Sequence, residues 1–293
     1  MVRRILNRLE RLLPDRPVGE RFHCAPHIEP FPEHRYVRLL SFNIQVGIST
    51  SSYRHYLTRS WQHVLPSERR FENLDRIAEL LHQYDIVALQ EVDGGSVRSG
   101  KVNQVEYLAQ RSGHPFWFQQ RNRNLGPIAQ HSNGLLSRFQ PLDVASHRLP
   151  GLLPGRGGII ARFGREEEPL VLVVLHLALG ARGQKQQLDY VAEQIEGYRH
   201  VVVMGDLNNS AELLLERSIL GEAGLVALPE LANTFPSWKP QKALDHIFVT
   251  PELKVRNAGV LCYPVSDHLP IAIEVALPHM DASAGASGQG ASG

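Results

Sequence analysis

Acids, amides and imidazoles stand at or near the end of almost every apolar run in this 293-residue sequence. If the runs are strands that pack side by side, these groups converge on one edge of a sheet, which is how catalytic constellations are assembled on rigid elements. Carboxylates there could hold a hard divalent cation, and imidazoles could move protons. The groups are Asn43, Gln90, Glu91, His176, Asp206, Asn208, Asp245, His246, Asp267 and His268.

Each of these groups also has an ordinary structural explanation when it is taken alone. Asp206 and Asn208 in Gly-Asp-Leu-Asn could form a turn, because their side chains bond nearby backbone. A lone His176 in an apolar strand is typical of a satisfied core residue, and an Asp-His pair can cap a helix. Only the joint order of the groups along the chain indicates a shared site.

The elements that must position these groups are alternating apolar runs and helical patterns. Strands are predicted over Val37–Ile44, Ile86–Leu89, Gly158–Phe163, Leu170–Leu177, His200–Met204, Leu244–Val249 and Ile271–Val275. Helices are predicted over Ser67–Tyr84, Val102–Gln110 and Gln184–Glu196. Continuous apolar strands are buried on both faces. The alternation therefore favours an α/β or α+β domain with two packed sheets covered by helices. No Gly-rich dinucleotide or P-loop motif is present.

The motif order SFNI, LQEV, LHL, GDLNN, LDHIFV, SDHLP resembles the endonuclease/exonuclease/phosphatase superfamily, which has the fold of pancreatic deoxyribonuclease. The resemblance covers residues 36–278. It implies a four-layer α/β sandwich in which two packed mixed β-sheets are flanked by helices. It also implies a divalent metal, usually Mg²⁺ with Mn²⁺ as a possible substitute, and hydrolysis of a phosphate ester.

The resemblance implies a metal site built on Glu91, Asn43 and Asp267. Glu91 would be the principal metal carboxylate, Asn43 would orient the phosphate or a water on the metal, and Asp267 would be the second acid. Mg²⁺ prefers such hard oxygen ligands and would neutralise an already anionic phosphodiester. Relatives that act on abasic DNA often carry an acid where this chain has Gln45, which disfavours a second tightly held metal.

The same resemblance implies catalytic roles for five further residues. Asp206 would orient or deprotonate the attacking water, and Asn208 would donate an amide N–H to the phosphate. His268 would act either as a base or as a cationic phosphate clamp, held by Asp245, because an acid fixes the imidazole tautomer and favours its charged form. His176 would contact the transition state or protonate the leaving oxygen.

Substrate contacts are predicted for two more side chains. Arg138, in the stretch Asn133–Phe139 that resembles a strand and turn of the family, could reach an anionic substrate or could be a solvated turn residue. His246 could line the wall of the site or face the core.

Charge and composition restrict the partners. The 31 basic and 30 acidic side chains leave a formal net charge of +1, so any nucleic-acid contact must be local. One candidate contact is Arg111, Arg121 and Arg123 with Trp117 and Phe118, which could stack a base and hold phosphate, or form a surface loop.

Three segments are predicted from composition. Residues 1–35 would be a basic amphipathic helix (residues 1–13) followed by a Pro-rich strap, residues 36–278 the catalytic domain, and residues 279–293 a disordered tail of small residues. The helix could be a peripheral membrane contact or could dock on the domain. Two cysteines and no long apolar segment favour a soluble, cytoplasmic protein, which could also be peripheral to a membrane.

The substrate class stays open between a nucleic acid, by nuclease-like cleavage of a phosphodiester, and a phospholipid or inositol phosphate at a membrane surface. A catalytically inactive binding module of the same fold is the alternative from a different class. The presence of all eight site residues argues against that alternative.

Overall fold

The computed structural model describes residues 36–48, 68–124, 129–151, 155–229 and 231–276. The predictions for residues 1–35 and for the tail from residue 279 lie outside these ranges. Among the described residues, no helix is both long and apolar enough to span a lipid bilayer.

Helices and strands follow one another along the described chain. The helices are α1 (Glu68–Leu81), α2 (Gln104–Ser112), α3 (Ala181–Ile195) and α4 (Ala211–Arg217). The strands are β1 (Tyr36–Asn43), β2 (Ile86–Asp93), β3 (Phe116–Asn124), β4 (Gln130–Ser137), β5 (Asp143–Arg148), β6 (Gly157–Phe163), β7 (Leu170–His176), β8 (His200–Asp206), β9 (Val226–Ala227), β10 (Asp245–Val249), β11 (Val255–Val260) and β12 (Ile271–Ala276). Short 3₁₀ turns occupy Gln45–Gly47 and Val97–Ser99.

The strands form two mixed sheets of six strands each. The first sheet has the order β11-β12-β1-β2-β4-β3, and only β1 and β2 are parallel in it. The second sheet has the order β5-β6-β7-β8-β10-β9, and only β7 and β8 are parallel in it. Each sheet therefore has a parallel pair at its centre and antiparallel strands outside it.

Three apolar clusters define the layers. One lies between the two sheets and contains inward residues of both, such as Leu39 and Leu172. A second lies between the first sheet and helices α1 and α2, and a third between the second sheet and α3 and α4. The predicted four-layer α/β sandwich, with two packed mixed sheets flanked by helices, is confirmed.

All seven predicted strands are present with ends shifted by at most four residues. The segment predicted either to stack bases or to form a surface loop is instead strand β3. Trp117 and Phe118 are buried in it on opposite faces, where they pack into two different cores. Arg111 forms an ion pair with Asp75. The base-stacking hypothesis for Trp117 and Phe118 is therefore wrong.

Candidate active site between the two sheets

Three adjacent strands of the second sheet each place a polar side chain at the same level. His176 at the end of β7 is the register partner of Asp206 on β8, and Asp206 is the partner of Asp245 on β10. Side chains two residues away, such as Val174 and Met204, face the core between the sheets. Because strand side chains alternate between faces, the three polar groups also face the space between the sheets.

The first sheet contributes Asn43 and Glu91 across from them. Asn43 ends β1 and pairs in register with Gln90 on β2. The pairing of β2 with β4 is irregular between Leu89 and Val92, and Glu91 has a positive φ of 54°. A non-glycine residue in this conformation is uncommon, and such strain concentrates at functional sites.

One oxygen atom, Oδ2 of Asp206, is the meeting point of the two sheets. Asn43 Nδ2 donates a hydrogen bond to it at 3.0 Å. His176 Nε2 lies 3.6 Å from it and His268 Nε2 lies 3.8 Å from it. The other oxygen, Oδ1, accepts the backbone N–H of Asn208 at 3.1 Å. The structure thus brings four of the predicted site residues together around the carboxylate of a fifth, Asp206.

His268 is held by an acid and by an aromatic ring. Its Nδ1 lies 2.7 Å from Oδ2 of Asp245, which also accepts the hydroxyl of Thr234. The ring of Phe235 packs against the imidazole with centroids 4.9 Å apart. Burial disfavours the charged imidazole, but the charges of Asp245 and Asp206 outweigh it and raise the pKa of His268 well above its ordinary value. The two acids therefore favour the charged form of His268.

Two further titratable groups of this cluster, Asp206 and His176, have pKa values shifted in opposite directions. Burial raises the pKa of Asp206 to about 7, against the opposing charge of His268. Burial, together with the positive charge of Arg156, lowers the pKa of His176 well below its ordinary value. The surroundings therefore favour the neutral form of His176 and the charged form of His268, and they bring the pKa of Asp206 close to neutral pH.

The donors predicted for a metal are the carboxylates of Glu91 and Asp267 and the amide of Asn43. Burial, reinforced by the charge of Glu91, raises the pKa of Asp267 to about 6. The amide oxygen of Asn43 accepts one hydrogen bond, from Gln45 N–H, and keeps a second lone pair. A partly buried acid and a buried acid that repel each other, together with an amide oxygen that has a free lone pair, are the donor types that fit a hard divalent cation.

A second group of possible metal ligands lies beside the first. One ligand atom each of Asp206, Asp245 and His268 lies within 4.8 Å of the others, and all three side chains are buried. However, His268 Nδ1 is already bonded to Asp245. This group therefore fits a hydrogen-bonded acid–imidazole pair better than a set of free ligands.

Asn208 stabilises the turn after β8. Its φ is 57°, and its Nδ2 donates to the carbonyl of Leu177 at 3.0 Å. One amide hydrogen is left for a substrate, since a carboxamide carries two.

The structure does not place Arg138 at the site. Arg138 follows β4 at the opposite end of the sheet, where its guanidinium donates to the backbone carbonyls of His82 and Tyr84. Its own N–H bonds Asp85, which precedes β2, whereas Glu91 lies six residues further along β2, or about 20 Å of extended chain. The prediction that Arg138 contacts the substrate is therefore corrected.

His246 faces away from the space between the sheets. It follows Asp245 on β10, so alternation turns its ring to the helix-covered face, where it stacks on Phe248. Its Nε2 bonds the carbonyls of Asn209 and Ala243. The prediction that His246 lines the wall of the site is therefore also corrected; it holds the turn that carries Asn208.

Arg156, just before β6, was not predicted from the sequence, yet its charge acts on the residues of the site. Its partly buried guanidinium interacts electrostatically with Asp206, Glu91 and His176. The one signal in the sequence is an arginine among the glycines Gly155, Gly157 and Gly158, at the start of an apolar run.

Comparison with known sequences identifies one family. Residues 40–268 match the Endonuclease/Exonuclease/phosphatase family, which is 78% of the chain (229 of 293 residues). No curated protein matches the sequence.

Solved structures with the same fold share little sequence with this chain. An endonuclease/exonuclease/phosphatase from Beutenbergia cavernae has a TM-score of 0.64 at 19% identity, over 83% of this chain and 72% of its own. Mannosyl-6-phosphatase Bt3783 from Bacteroides thetaiotaomicron has 0.61 at 14% identity, over 82% and 100%. TDP2 from D. rerio, complexed with a single-strand DNA product, has 0.59 at 17% identity, over 83% and 99%. At these identities the likeness concerns the fold.

Proposed function

The chain belongs to the endonuclease/exonuclease/phosphatase family, and on that premise we propose that it is a divalent-metal-dependent phosphoesterase that hydrolyses a phosphodiester. The observation that carries the proposal is the meeting of Asn43, His176 and His268 at one oxygen of Asp206. This arrangement supplies a proton acceptor, a fixed cation and neutral hydrogen-bonding groups around a single point.

Glu91, Asp267 and Asn43 are the proposed metal ligands. Mg²⁺ or Mn²⁺ at these oxygens supplies Lewis-acid stabilisation of the phosphoryl charge. The chain's own contribution is to hold two carboxylates close enough that Glu91 raises the pKa of Asp267.

Asp206 is the proposed general base. A pKa near 7 lets its carboxylate accept a proton from water at neutral pH, and the Asn43 amide and the Asn208 N–H fix its orientation. Asn208 has one amide hydrogen left to donate to a phosphate oxygen.

His268 is proposed as a cationic phosphate clamp, and its raised pKa is the reason. A ring that keeps its proton at neutral pH cannot take one from water, but it can donate Nε2–H to a phosphoryl oxygen. His176 has a lowered pKa and is neutral, which favours hydrogen bonding in the transition state over protonation of the leaving oxygen.

The substrate proposal rests on the comparisons. The TDP2 structure holds a single-strand DNA product, which supports a nucleic acid; the mannosyl-6-phosphatase supports a sugar phosphate. A lipid or inositol phosphate at a membrane surface, reached through residues 1–13, and a cytoplasmic location stay predictions.

The test is hydrolysis of bis(p-nitrophenyl) phosphate compared with p-nitrophenyl phosphate, in Mg²⁺, Mn²⁺ or EDTA. We expect metal-dependent cleavage with preference for the diester, and its loss in His268→Ala. A folded protein that cleaves neither compound, and whose melting temperature Mg²⁺ leaves unchanged, would instead be an inactive binding module.

A further inference from the structure

Three short segments contain or closely follow the proposed metal ligands. The 3₁₀ turn Gln45–Gly47 follows Asn43, residues 91–93 contain Glu91, and residues 265–267 contain Asp267. Two buried carboxamides from the helices behind the first sheet, Asn73 of α1 and Gln104 of α2, connect these segments.

Gln104 joins the first segment to the second. Its Oε1 accepts the backbone N–H of Asp93 at 2.8 Å, and its Nε2 donates to the carbonyl of Val46 at 2.9 Å. The side chain is fully buried. Its orientation is determined by its partners, because a flipped amide would place Oε1 against the carbonyl oxygen of Val46 and Nε2 against the N–H of Asp93.

Asn73 joins the first segment to the third. Its Nδ2 donates to the carbonyl of Gly47 at 3.2 Å and to the carbonyl of Val265 at 2.8 Å. The side chain is buried, and both its partners are acceptors, so its orientation is also determined.

The first segment has a backbone that needs such support. Gln45, Val46 and Gly47 all have positive φ, of 44°, 56° and 71°. Positive φ is costly for a β-branched residue such as Val46, and strain of this kind persists only where surrounding contacts over-determine it. Glu91 in the second segment has a positive φ as well.

We propose that Asn73 and Gln104 are positioning residues, an amide brace that holds Asn43, Glu91 and Asp267 in place for a divalent metal. The proposal rests on the proposed function. Neither residue touches the site: each acts through the backbone of the segments it bonds. Without the brace, the strained turn can relax, and the ligands must be reordered when the metal binds, which weakens binding.

Gln104→Met and Asn73→Ala test the brace from two different helices. We expect each to weaken Mn²⁺ binding, measured by electron paramagnetic resonance of free Mn²⁺, by about tenfold, at the lower end of the range for residues that support metal ligands. Excess Mn²⁺ should restore most of the turnover. If one variant fails to fold, the other carries the test.

Gln187→Met is the matched control. Gln187 is a buried glutamine of α3 that also accepts one backbone N–H, from Ala178, and donates to one carbonyl, of Pro150. The Gln187→Met substitution should lower the melting temperature about as much as Gln104→Met and Asn73→Ala do, and it should leave the Mn²⁺ affinity unchanged.

The outcomes separate the two proposals. A wild-type protein that binds no Mn²⁺ would contradict the proposed function. If the wild-type protein binds Mn²⁺ and the folded Gln104→Met and Asn73→Ala variants bind it equally tightly, the brace is overturned. The brace is also overturned if Gln187→Met weakens Mn²⁺ binding as much as they do. Either result leaves the proposed function standing.

Discussion

His268 Nδ1 and Asp245 Oδ2 lie 2.7 Å apart, both buried, and this contact connects the loop before β12 to strand β10 of the other sheet. It directs Nε2 of the imidazole toward Asp206, 3.8 Å away. The pair therefore sets both the charge and the direction of His268.

Asp245→Asn is expected to lower kcat by about 10²-fold or more, because the ring loses the carboxylate that favours its charged form. The ¹⁵N chemical shifts of His268, followed against pH, should show a lower pKa than in the wild-type protein. Asp143→Asn, which removes an exposed acid paired with Arg162, is the control and should change neither quantity. An unchanged His268 titration would contradict the assigned partnership.

Glu91→Gln tests the metal ligand. A ligand that binds only the folded state raises the melting temperature. The amide of Glu91→Gln keeps the size of the side chain but loses its charge, so we expect Mg²⁺ to raise the melting temperature of the wild-type protein and not that of the variant. Metal-dependent hydrolysis should be lost in the variant as well. A folded Glu91→Gln protein with the full Mg²⁺-induced shift would exclude Glu91 as the principal ligand.

The buried centre of the fold could be predicted from the sequence, and its edges could not. Strands such as β7 are continuous apolar runs, because a strand that is buried on both faces needs apolar residues at successive positions. The edge strands β5 and β11 contain only exposed and half-buried side chains, so neither stands out from a loop in the sequence.

The grouping of Asn43, His176 and His268 around Asp206 was predictable from the sequence, whereas the positions of Arg138 and His246 were predicted wrongly. Strand ends identified Asp206 and Asp245, whereas only the register shows that Arg138 follows the opposite end of its sheet. His246 could have been assigned correctly, because alternation turns it away from the face that Asp245 occupies. Asn73 and Gln104 leave no sequence signal, since a buried amide on a helix looks like any polar helix residue.

Arg156→Ala tests the cation that the sequence did not reveal. Its guanidinium interacts electrostatically with Asp206 and Glu91, and we expect it to contact a phosphoryl oxygen, because a charge-assisted hydrogen bond is stronger than a neutral one. The variant should lower kcat/KM by about 10²-fold and weaken inhibition by inorganic phosphate.

Added guanidinium should restore part of the activity of Arg156→Ala, because a free cation can occupy the vacated position. Arg138→Ala is the matched control, since that guanidinium binds carbonyls at the far end of the sheet. It should keep the wild-type kcat/KM. Unaltered phosphate inhibition in Arg156→Ala would show that the guanidinium makes no contact with the substrate.

The buried His114 predicts how stability depends on pH away from the site. Burial, with the charge of Arg138, lowers its pKa to about 4. In the unfolded chain the His114 ring takes up a proton near pH 6.5, whereas in the folded chain it takes one up only near pH 4. The lowered pKa therefore has no effect on the free energy of unfolding above pH 6.5. As the pH falls from 6.5 toward 4, the free energy of unfolding decreases by about 3 kcal/mol in total.

His114→Gln removes this titration and keeps a polar side chain near Ser112 and Tyr84, the partners of the ring. The variant should be less stable than wild type at pH 7, and the difference should shrink by about 2–3 kcal/mol at pH 4.5, since the wild type alone suffers the penalty. Urea unfolding in EDTA at both pH values measures it. Both proteins contain Asp206 and Asp267, whose pKa values are raised, and the other buried imidazoles. The contributions of these groups to the pH dependence of stability therefore cancel in the difference between the two proteins. A difference that stays constant between the two pH values would show that His114 takes up its proton equally in the folded and unfolded chains.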